Sequence, residues 1–329
     1  MSFTALLVTE SAPKQFTHAL VRRELSDLPE HDTLIRVNWS SLNYKDALSF
    51  SGNKGITRSY PHTPGVDAAG VIEESPAFEK GTEVMVVGFD LGMNTPGGLA
   101  EFIRVPSEWV IPVPAGLSLR ECMILGTAGF TAAQCLFRLQ QNGLTPESGE
   151  VVVTGATGGV GSVAVALLAR AGFKVAASSR SPEQAAWLLD IGADSLISSD
   201  QLTEDSGKPM LKGRWAGAVE TVGGKTLEVL TRSMRHRGVL TCCGMITGSE
   251  LHTNVFPFIL RGLSLIGIDS AECPMPMKKD IWAKLAADWK LEPEVLERIA
   301  TEIPLSDAAN ALTEMKNGHS RGRTVVRVS

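Results

Sequence analysis

The pattern of apolar and polar residues divides the chain into two parts with different predicted secondary structure. Up to about residue 120, short apolar segments such as 34–37, 69–72 and 83–87 alternate with Gly and Pro residues. Short strands joined by tight turns give this pattern. It predicts a compact, partly barrel-like β domain in the first part of the chain.

From about residue 122, β and α patterns alternate, which predicts a parallel sheet covered by helices. The predicted elements are a helix at 123–139, a strand at 151–153, a helix at 159–171, strands at 174–177, 216–222, 238–243 and 263–268, a mainly helical region at 275–320 and a closing strand at 323–328. The predicted fold class is therefore α/β, with a doubly wound parallel sheet beside a separate β domain.

One further helix carries start and stop signals of its own. Ser181 is the predicted N-cap, Pro182 stands at the first helical position, and Gln184 completes a capping box. Gly192 follows the end of the apolar pattern, where a glycine commonly ends a helix. These signals predict a helix between Ser181 and Gly192.

Size and composition narrow the class of protein. The 329 residues are too many for one ordinary core and suit two domains. The net charge of -5 and the lack of a basic block argue against nucleic acid or anionic membrane as a partner. The five cysteines form no CxxC pair, so we expect a reducing compartment, the cytoplasm. No signal peptide or membrane span is expected.

A glycine-rich turn follows the first strand of the parallel sheet. It places Gly155, Gly158 and Gly161 between a buried strand and a helix, with a second strand at the right distance. Glycine allows a sharp turn and close approach of the backbone to a pyrophosphate, which the helix N-terminus attracts. The alternative is a glycine-rich turn that holds no ligand. The full βαβ context favours a dinucleotide site.

The end of the second strand distinguishes between the two nicotinamide dinucleotides. Enzymes that use NAD place Asp or Glu there to bind the ribose 2′-hydroxyl. This chain has Ser178, Ser179 and Arg180 instead. Hydroxyls can donate to a 2′-phosphate and arginine can neutralise it, although Arg180 could also be an ordinary exposed residue. The missing acid favours NADPH.

No zinc-ligand pattern is visible. The six histidines are scattered without HxH or HExxH spacing. The cysteines stand singly except for Cys242 and Cys243, whose side chains should point to opposite faces of a strand. We therefore predict no metal.

With these features together, the chain resembles the zinc-less quinone-oxidoreductase branch of the medium-chain dehydrogenase/reductase superfamily, essentially from end to end. The segments that carry the resemblance are WSSLNYKD at 39–46, PGVDAAG at 64–70, GGLAE at 97–101, GTAGFTA at 126–132 and the turn at 151–161. A narrower likeness to the acryloyl-CoA reductase subgroup lies in WAGA at 215–218, PFILR at 257–261, IDS at 268–270 and GRT at 322–324.

The resemblance implies an architecture. A GroES-like domain at 1–121 would precede a Rossmann domain at 122–270, and the segment 271–329 would return at its end to the first domain; the family places its active site in the cleft between the two domains. Where zinc-dependent relatives carry a ligand cysteine and Gly-His-Glu, this chain has Asn43-Tyr44 and the segment 65–67. A homodimer is also implied. The strand at 263–268 could pair across a two-fold axis or lie inside the sheet.

The resemblance also implies the site residues. Tyr44 is the first candidate for a catalytic role and for cofactor contact, although it could simply close the cleft. Asn43 is a weaker candidate donor, for which local turn bonding is the alternative. The implied NADPH contacts are Tyr44, Gly158, Gly159, Val160, Gly161, Ser178, Ser179, Arg180, Ser199, Met245, Ile259, Ser270 and Asn317. The last five are carried over by position alone and could be core, turn or cap residues.

The expected reaction is NADPH-dependent reduction of an activated C=C bond, with hydride transfer to the β-carbon without a metal, and most specifically acryloyl-CoA to propionyl-CoA. A quinone or 2-alkenal reductase is the first alternative. A non-enzymatic NADPH-binding structural or RNA-associated protein is the second. Basic residues available for the phosphates of CoA are Lys54, Arg58, Arg321 and Arg323.

Overall fold

A computed structural model of the chain describes residues 1–203 and 206–329. Its strands, in chain order, are β1 (Ser2–Ala12), β2 (Gln15–Glu24), β3 (Thr33–Leu42), β4 (Asp67–Glu74), β5 (Glu83–Val87), β6 (Phe102–Val105), β7 (Ile111–Pro112), β8 (Val151–Val153), β9 (Val175–Ser179), β10 (Ser195–Ser198), β11 (Trp215–Glu220), β12 (Met234–Cys242), β13 (Ser264–Gly267), β14 (Ala300–Pro304) and β15 (Arg323–Arg327).

The α-helices within the same residues are α1 (Tyr44–Phe50), α2 (Leu119–Gln141), α3 (Gly159–Arg170), α4 (Ala185–Asp190), α5 (Gly224–Ser233), α6 (Phe256–Arg261), α7 (Met275–Ala286), α8 (Pro293–Ile299) and α9 (Ala308–Lys316). Two compact units contain these elements. The β unit comprises Met1–Thr127, Ala271–Ala286 and Ala300–Ser329, and the parallel-sheet unit comprises Ala128–Ser270 and Ala287–Ile299.

The parallel-sheet unit contains six parallel strands in the order β10-β9-β8-β11-β12-β13. The strand order reverses between β8 and β11, which is the point where doubly wound sheets bind dinucleotides. Both β8 and β11 are buried along their whole length, as expected for parallel strands covered on both faces. Trp215, Leu230 and Leu240 lie in the apolar core beside them. The predicted α/β fold class is confirmed.

The β unit contains a seven-stranded sheet in the order β14-β15-β3-β4-β5-β7, with β6 also paired to β3, and a separate β1-β2 ribbon. The last strand, β15, pairs antiparallel with β3, and Thr324 lies opposite Leu42. The end of the chain therefore joins the strand that leads directly into α1. The domain limits at 121 and 270 stay predictions, because compact units are not by themselves independently folding domains.

Most predicted elements are confirmed to within a few residues, and one prediction is wrong. The region 275–320 is mainly helical, as predicted, and it also contains the strand β14, which is held by parallel pairing with β15. The capping box at Ser181 does not form, because its side chain makes no capping hydrogen bond. Pro182–Gln184 form a 3-10 turn there, and the α-helix begins at Ala185.

The long apolar helix α2 is broken at Gly126, whose φ of 51° lies in the left-handed region. Among the described residues, α2 alone has the length and apolar composition of a membrane span, and most of it is buried. The core helix of a soluble protein has the same properties.

Candidate functional site

The glycine turn after β8 requires glycine at two positions for different reasons. Gly155 has φ 55°, and a Cβ there would lie 2.5 Å from the Thr221 hydroxyl. A Cβ at Gly161 would lie 2.2 Å from the carbonyl oxygen of Gly155. Contacts this short exclude a side chain, so the turn packs directly against the start of α3. This is the tight strand-to-helix connection that the sequence predicts.

The start of α3 presents a set of amide donors. Gly158 is its N-cap, and the first helical hydrogen bond runs from Ser162 N to Gly158 O over 2.9 Å. The amides of Gly159, Val160 and Gly161 precede that bond and lie at the positive end of the helix. A donor set of this kind fits the pyrophosphate of a dinucleotide.

The end of β9 offers hydroxyl and guanidinium donors. Ser178 is 2% exposed, and its carbonyl accepts from Ala156 N in the glycine turn. The Ser179 hydroxyl oxygen accepts from Ser181 N over 3.0 Å, which leaves its own proton free to donate. Arg180 is exposed and makes no ion pair with the described residues. The segment 178–180 thus fits a phosphate group.

Three more predicted contacts lie at this same edge of the sheet, because parallel strands all end there. Ser199 follows β10 directly, Met245 follows β12, and Ser270 follows β13. Ile259 stands within a helix and does not directly follow a strand. It belongs to α6, which leads into the opposite, amino end of β13, and the Arg261 side chain in that helix donates to the carbonyl of Met234 at the amino end of β12.

A buried carboxylate at the end of β11 accepts hydrogen bonds from the residues that follow β8 and β11. Glu220, the last residue of β11, is fully buried, and its Oε1 accepts from Val222 N and Gly223 N at 2.8 Å each. The hydroxyl of Thr154 donates to the same oxygen over 3.2 Å. Burial raises the pKa of Glu220, while these three donors oppose the rise.

The remaining predicted residues lie in the β unit. Tyr44 opens α1 and is 44% exposed, and its hydroxyl makes no hydrogen bond with the described residues. The helix is held in place by packing of Ala47 and Phe50 with Leu312 of α9. Asn317 is exposed and follows α9. A phenol without a partner is available to a ligand.

Asn43, in contrast, is only 8% exposed and its amide is engaged. Its Nδ2 donates to Asp67 Oδ2 over 2.7 Å, and its backbone N donates to Asp46 Oδ2 over 2.8 Å. The asparagine therefore fixes the start of α1, as the local-bonding alternative requires. Its role as a donor to substrate stays a prediction.

These acids belong to a buried group that we term the Asp46–Asp67–Arg323 cluster. Asp46 Oδ1 accepts from the amides of Gly65 and Val66 at 3.0 and 2.9 Å. Burial, with repulsion from the Asp67 carboxylate, raises the pKa of Asp46 to about 7. Asp46 thus titrates near neutral pH although it is completely enclosed.

Asp67 is the centre of the cluster. It accepts from the Ser41 hydroxyl at 2.6 Å and from both the amide and the hydroxyl of Thr127 at 2.6–3.0 Å. The Arg323 guanidinium lies 3.7 Å away and is 1% exposed. The backbone of Gly126 packs directly against this cluster. A Cβ at that position would lie 2.5 Å from Asp67 Oδ2, so a larger residue would not fit.

The prediction that Arg323 is available for a CoA phosphate is wrong. Its guanidinium donates to the carbonyls of Ile124 and Leu42 at 2.9 and 3.1 Å and to the Ser41 hydroxyl at 2.8 Å. Burial lowers its pKa, and the Asp67 and Asp46 carboxylates oppose that shift. Lys54 is half-exposed and pairs with Glu10 at 2.6 Å.

The same region does not fit a zinc ion. The carboxylate of Asp67 is saturated by hydrogen-bond donors and faces a fixed cation, Arg323. Among the described residues, no three His, Cys, Asp or Glu side chains lie together in an arrangement that could hold a metal. Zinc sites need at least three such ligands.

Sequence reasoning did not single out Asp67 or Glu220 as site residues. Each stands at the end of an otherwise apolar strand segment, Asp67 before 68–72 and Glu220 after 215–219. An acid in such a place is rarely buried unless its oxygens are bonded. An acidic residue directly beside an apolar strand segment was therefore the feature of the sequence that could have identified Asp67 and Glu220.

The chain matches two known protein families, which together define its class. The alcohol dehydrogenase GroES-like domain matches residues 29–115, and the zinc-binding dehydrogenase family matches residues 159–287. The chain belongs to the medium-chain dehydrogenase/reductase superfamily, which confirms the predicted family.

Particular relatives are similar over nearly the whole chain. The probable acrylyl-CoA reductase AcuI of Escherichia coli (strain K12) is 43% identical over 306 residues, 92% of this chain and 93% of that protein. The putative quinone oxidoreductase YhfP of Bacillus subtilis (strain 168) is 42% identical over 304 residues, 92% of each. A crystal structure of Bacillus subtilis yhfP with NAD bound has TM-score 0.96 and 40% identity, covering 100% of both chains. The yhdH oxidoreductase from Salmonella enterica in complex with NADP has TM-score 0.96 and 42% identity, also over 100% of both.

The raised pKa of Asp46 predicts an unusual dependence of stability on pH. The folded chain keeps a proton on Asp46 up to about pH 7, whereas the unfolded chain releases it near the ordinary value of 3.8. Between these values the free energy of unfolding should fall as pH rises, with a contribution approaching about 1.4 kcal/mol per pH unit. Urea unfolding from pH 4.5 to 8 measures this slope.

The variant Asp46→Asn should lose that contribution and show a flatter dependence, even if it is less stable at every pH. Asp280→Asn removes an exposed acid of the same unit and should leave the slope unchanged. Equal slopes in Asp46→Asn and the unmodified chain would contradict the assignment.

Proposed function

We propose that the chain catalyses the NADPH-dependent reduction of an activated C=C bond, with acryloyl-CoA as substrate and propionyl-CoA as product. The observation that carries the proposal is the contact between the glycine turn and the end of β9, where the Ala156 amide donates to the Ser178 carbonyl. That end of β9 has two serines and an arginine but no carboxylate. The substrate class is supported by the name of the Escherichia coli relative. It also rests on the subgroup segments of the sequence.

The parallel-sheet unit would bind the cofactor. The amides of Gly159, Val160 and Gly161 would hold the pyrophosphate beside Gly158, whose own amide donates to the Gly155 carbonyl. Ser178, Ser179 and Arg180 would hold the 2′-phosphate. Ser199, Met245 and Ser270 would line the same edge of the sheet. Ile259 and Asn317 complete the proposed set on the resemblance alone. NADPH, when bound, supplies the hydride.

The chain's own chemical task is to orient the alkene and stabilise the charge that develops on the carbonyl oxygen. The β-carbon gains the hydride, and the α-carbon gains a proton from a donor group or water. The Tyr44 hydroxyl is exposed and has no partner in the described residues, so it suits a contact with the cofactor or with that oxygen. Asn43 and the Asp46–Asp67–Arg323 cluster would fix the helix that carries Tyr44.

A quinone reductase is a second candidate, because the Bacillus subtilis relative carries that name. Purified protein should oxidise NADPH at least tenfold faster with acryloyl-CoA than with a simple quinone or a free enal. Absorbance at the NADPH band measures all three rates. A faster quinone or enal would remove the substrate assignment but keep the reductase. Tight NADPH binding without any turnover would favour a non-enzymatic role.

Arg180 should determine the preference for the 2′-phosphate. Replacement by alanine removes the only full positive charge of the segment 178–180, so KM for NADPH should rise about tenfold to a hundredfold while KM for NADH changes less than threefold. Lys174→Ala, at the amino end of the same strand, is the matched control and should change neither. Equal rates with NADH and NADPH in the unmodified chain would overturn the NADPH assignment.

A homodimer is proposed through the free edge of the parallel sheet. β13 is the terminal strand of that sheet. A run of exposed apolar side chains precedes it: Met245, Ile246, Val255, Phe256, Ile259 and Leu260. Apolar exposure beside an open edge suits a second copy of the chain.

Sedimentation velocity should give twice the chain mass of 35.1 kDa. Ile259→Asp should weaken the dimer at least tenfold. Leu196→Asp, on the opposite edge strand β10, should leave it intact. A monomer in the unmodified chain, or equal effects of the two variants, would refute this interface.

The proposed location is the cytoplasm, and neither nucleic acid nor membrane is a proposed partner. Support comes from the five free cysteines and from the net charge of -5.

A further inference from the structure

The carboxyl group of Glu220 is buried without a cation beside it. Its side chain is fully buried, and no ion pair to it occurs within residues 1–203 and 206–329. The groups that its two oxygens contact are two backbone amides, a hydroxyl and a thiol. The thiol of Cys242 lies 3.7 Å from Oε2, and burial together with Glu220 raises the pKa of that thiol to about 11.

The hydrogen bonds favour the charged form of this acid. Oε1 accepts from the amides of Val222 and Gly223 and from the Thr154 hydroxyl, all within 3.2 Å. A carboxylate that accepts several such bonds is stabilised as the anion. Burial raises the pKa of Glu220, and these bonds oppose that rise. In its ionised form, Glu220 places a negative charge below the surface at the carboxyl end of β11.

That place is where the cofactor site lies in this fold. β8 and β11 are the neighbours at which the strand order reverses, and the dinucleotide lies outside their carboxyl ends. Thr154, which contacts Glu220, directly precedes Gly155 of the phosphate turn. The half of the sheet formed by β11, β12 and β13 would hold the second nucleotide of the cofactor, which carries the nicotinamide.

We propose that Glu220 is a specificity-determining residue for the oxidation state of the cofactor: its buried charge favours NADP⁺ over NADPH. The two forms differ by one positive charge on the nicotinamide ring. A negative charge in a poorly screened interior attracts the cationic ring and is indifferent to the neutral one. The proposal rests on the proposed function, because it requires that the chain bind both forms.

The size of the effect follows from Coulomb's law. If the ring binds about 10 Å from the carboxylate, a unit charge at an effective dielectric constant of about 20 to 40 changes the binding constant roughly fourfold to fifteenfold. Removal of the charge should therefore raise the ratio of Kd for NADP⁺ to Kd for NADPH by that factor.

Glu220→Gln is the direct test. Glutamine retains an oxygen that can accept the three bonds made by Oε1, and its amide nitrogen would stand beside the Cys242 sulfur. Calorimetric titration with NADP⁺ and with NADPH gives both dissociation constants without turnover. Glu250→Gln, an exposed acid of the same unit, is the control and should leave the ratio unchanged.

A purely structural role predicts a different result. If Glu220 only braces the strand ends, Glu220→Gln weakens both forms by the same factor, and the proposal is overturned. If the unmodified chain binds neither form, the proposed function itself has failed.

A second pair of variants protects the test against a folding defect in the glutamine variant. Glu220→Asp and Glu220→Asn have the same shortened side chain and differ only in charge. The aspartate variant should keep a ratio within about twofold of the unmodified chain, and the asparagine variant should show the fourfold to fifteenfold rise. The same ratio in both variants would contradict the proposal.

Discussion

The interaction on which the β unit most depends is the pairing of Arg323 with Asp67. Arg323 opens the last strand, and its guanidinium joins the end of β3, the kink of α2 and the acid at the start of β4. A buried arginine without these carbonyl and carboxylate partners would be strongly destabilising, since breaking one side of a buried pair costs about 3–5 kcal/mol. The pairing therefore fixes where the C-terminal strand must lie, and with it the helix that begins at Tyr44.

The parallel-sheet unit uses the same device with a different partner. Glu220 is held at the end of its strand by backbone amides and the Thr154 hydroxyl, with no cation. In both units a buried carboxylate accepts hydrogen bonds from the turn that immediately precedes a helix, α1 in the β unit and α5 in the parallel-sheet unit. Apolar side chains could fill these places at lower desolvation cost, but they could not fix the direction of amides and hydroxyls. The free-energy cost of burying these carboxylates thus accompanies their role in fixing the direction of the neighbouring amides and hydroxyls.

The sequence predicted those elements of the structure that depend on patterns over a few neighbouring residues. The strand at 151–153, the helix from Gly159 and the acid-free end of β9 follow from apolar runs, glycine spacing and residue type over short distances. It did not predict β2, whose side chains are mostly exposed and show no clear alternation, or β14, which exists through its partner β15. Arg323 was assigned to the surface because its burial depends on partners such as Ser41, 282 positions earlier in the chain. Contacts at that separation leave no periodic signal.

Exposure also explains why cofactor choice can vary on a constant scaffold. Arg180, one of the predicted 2′-phosphate contacts, is exposed, and a substitution at an exposed position usually changes stability by no more than about 0.5 kcal/mol. The buried acids cannot change so freely, because each has several fixed donors. Neighbours at 40% and 42% identity share this fold at TM-score 0.96, yet one structure holds NAD and the other NADP. The physical contrast is between buried acids that are held by several fixed donors and an exposed residue, Arg180, that tolerates substitution.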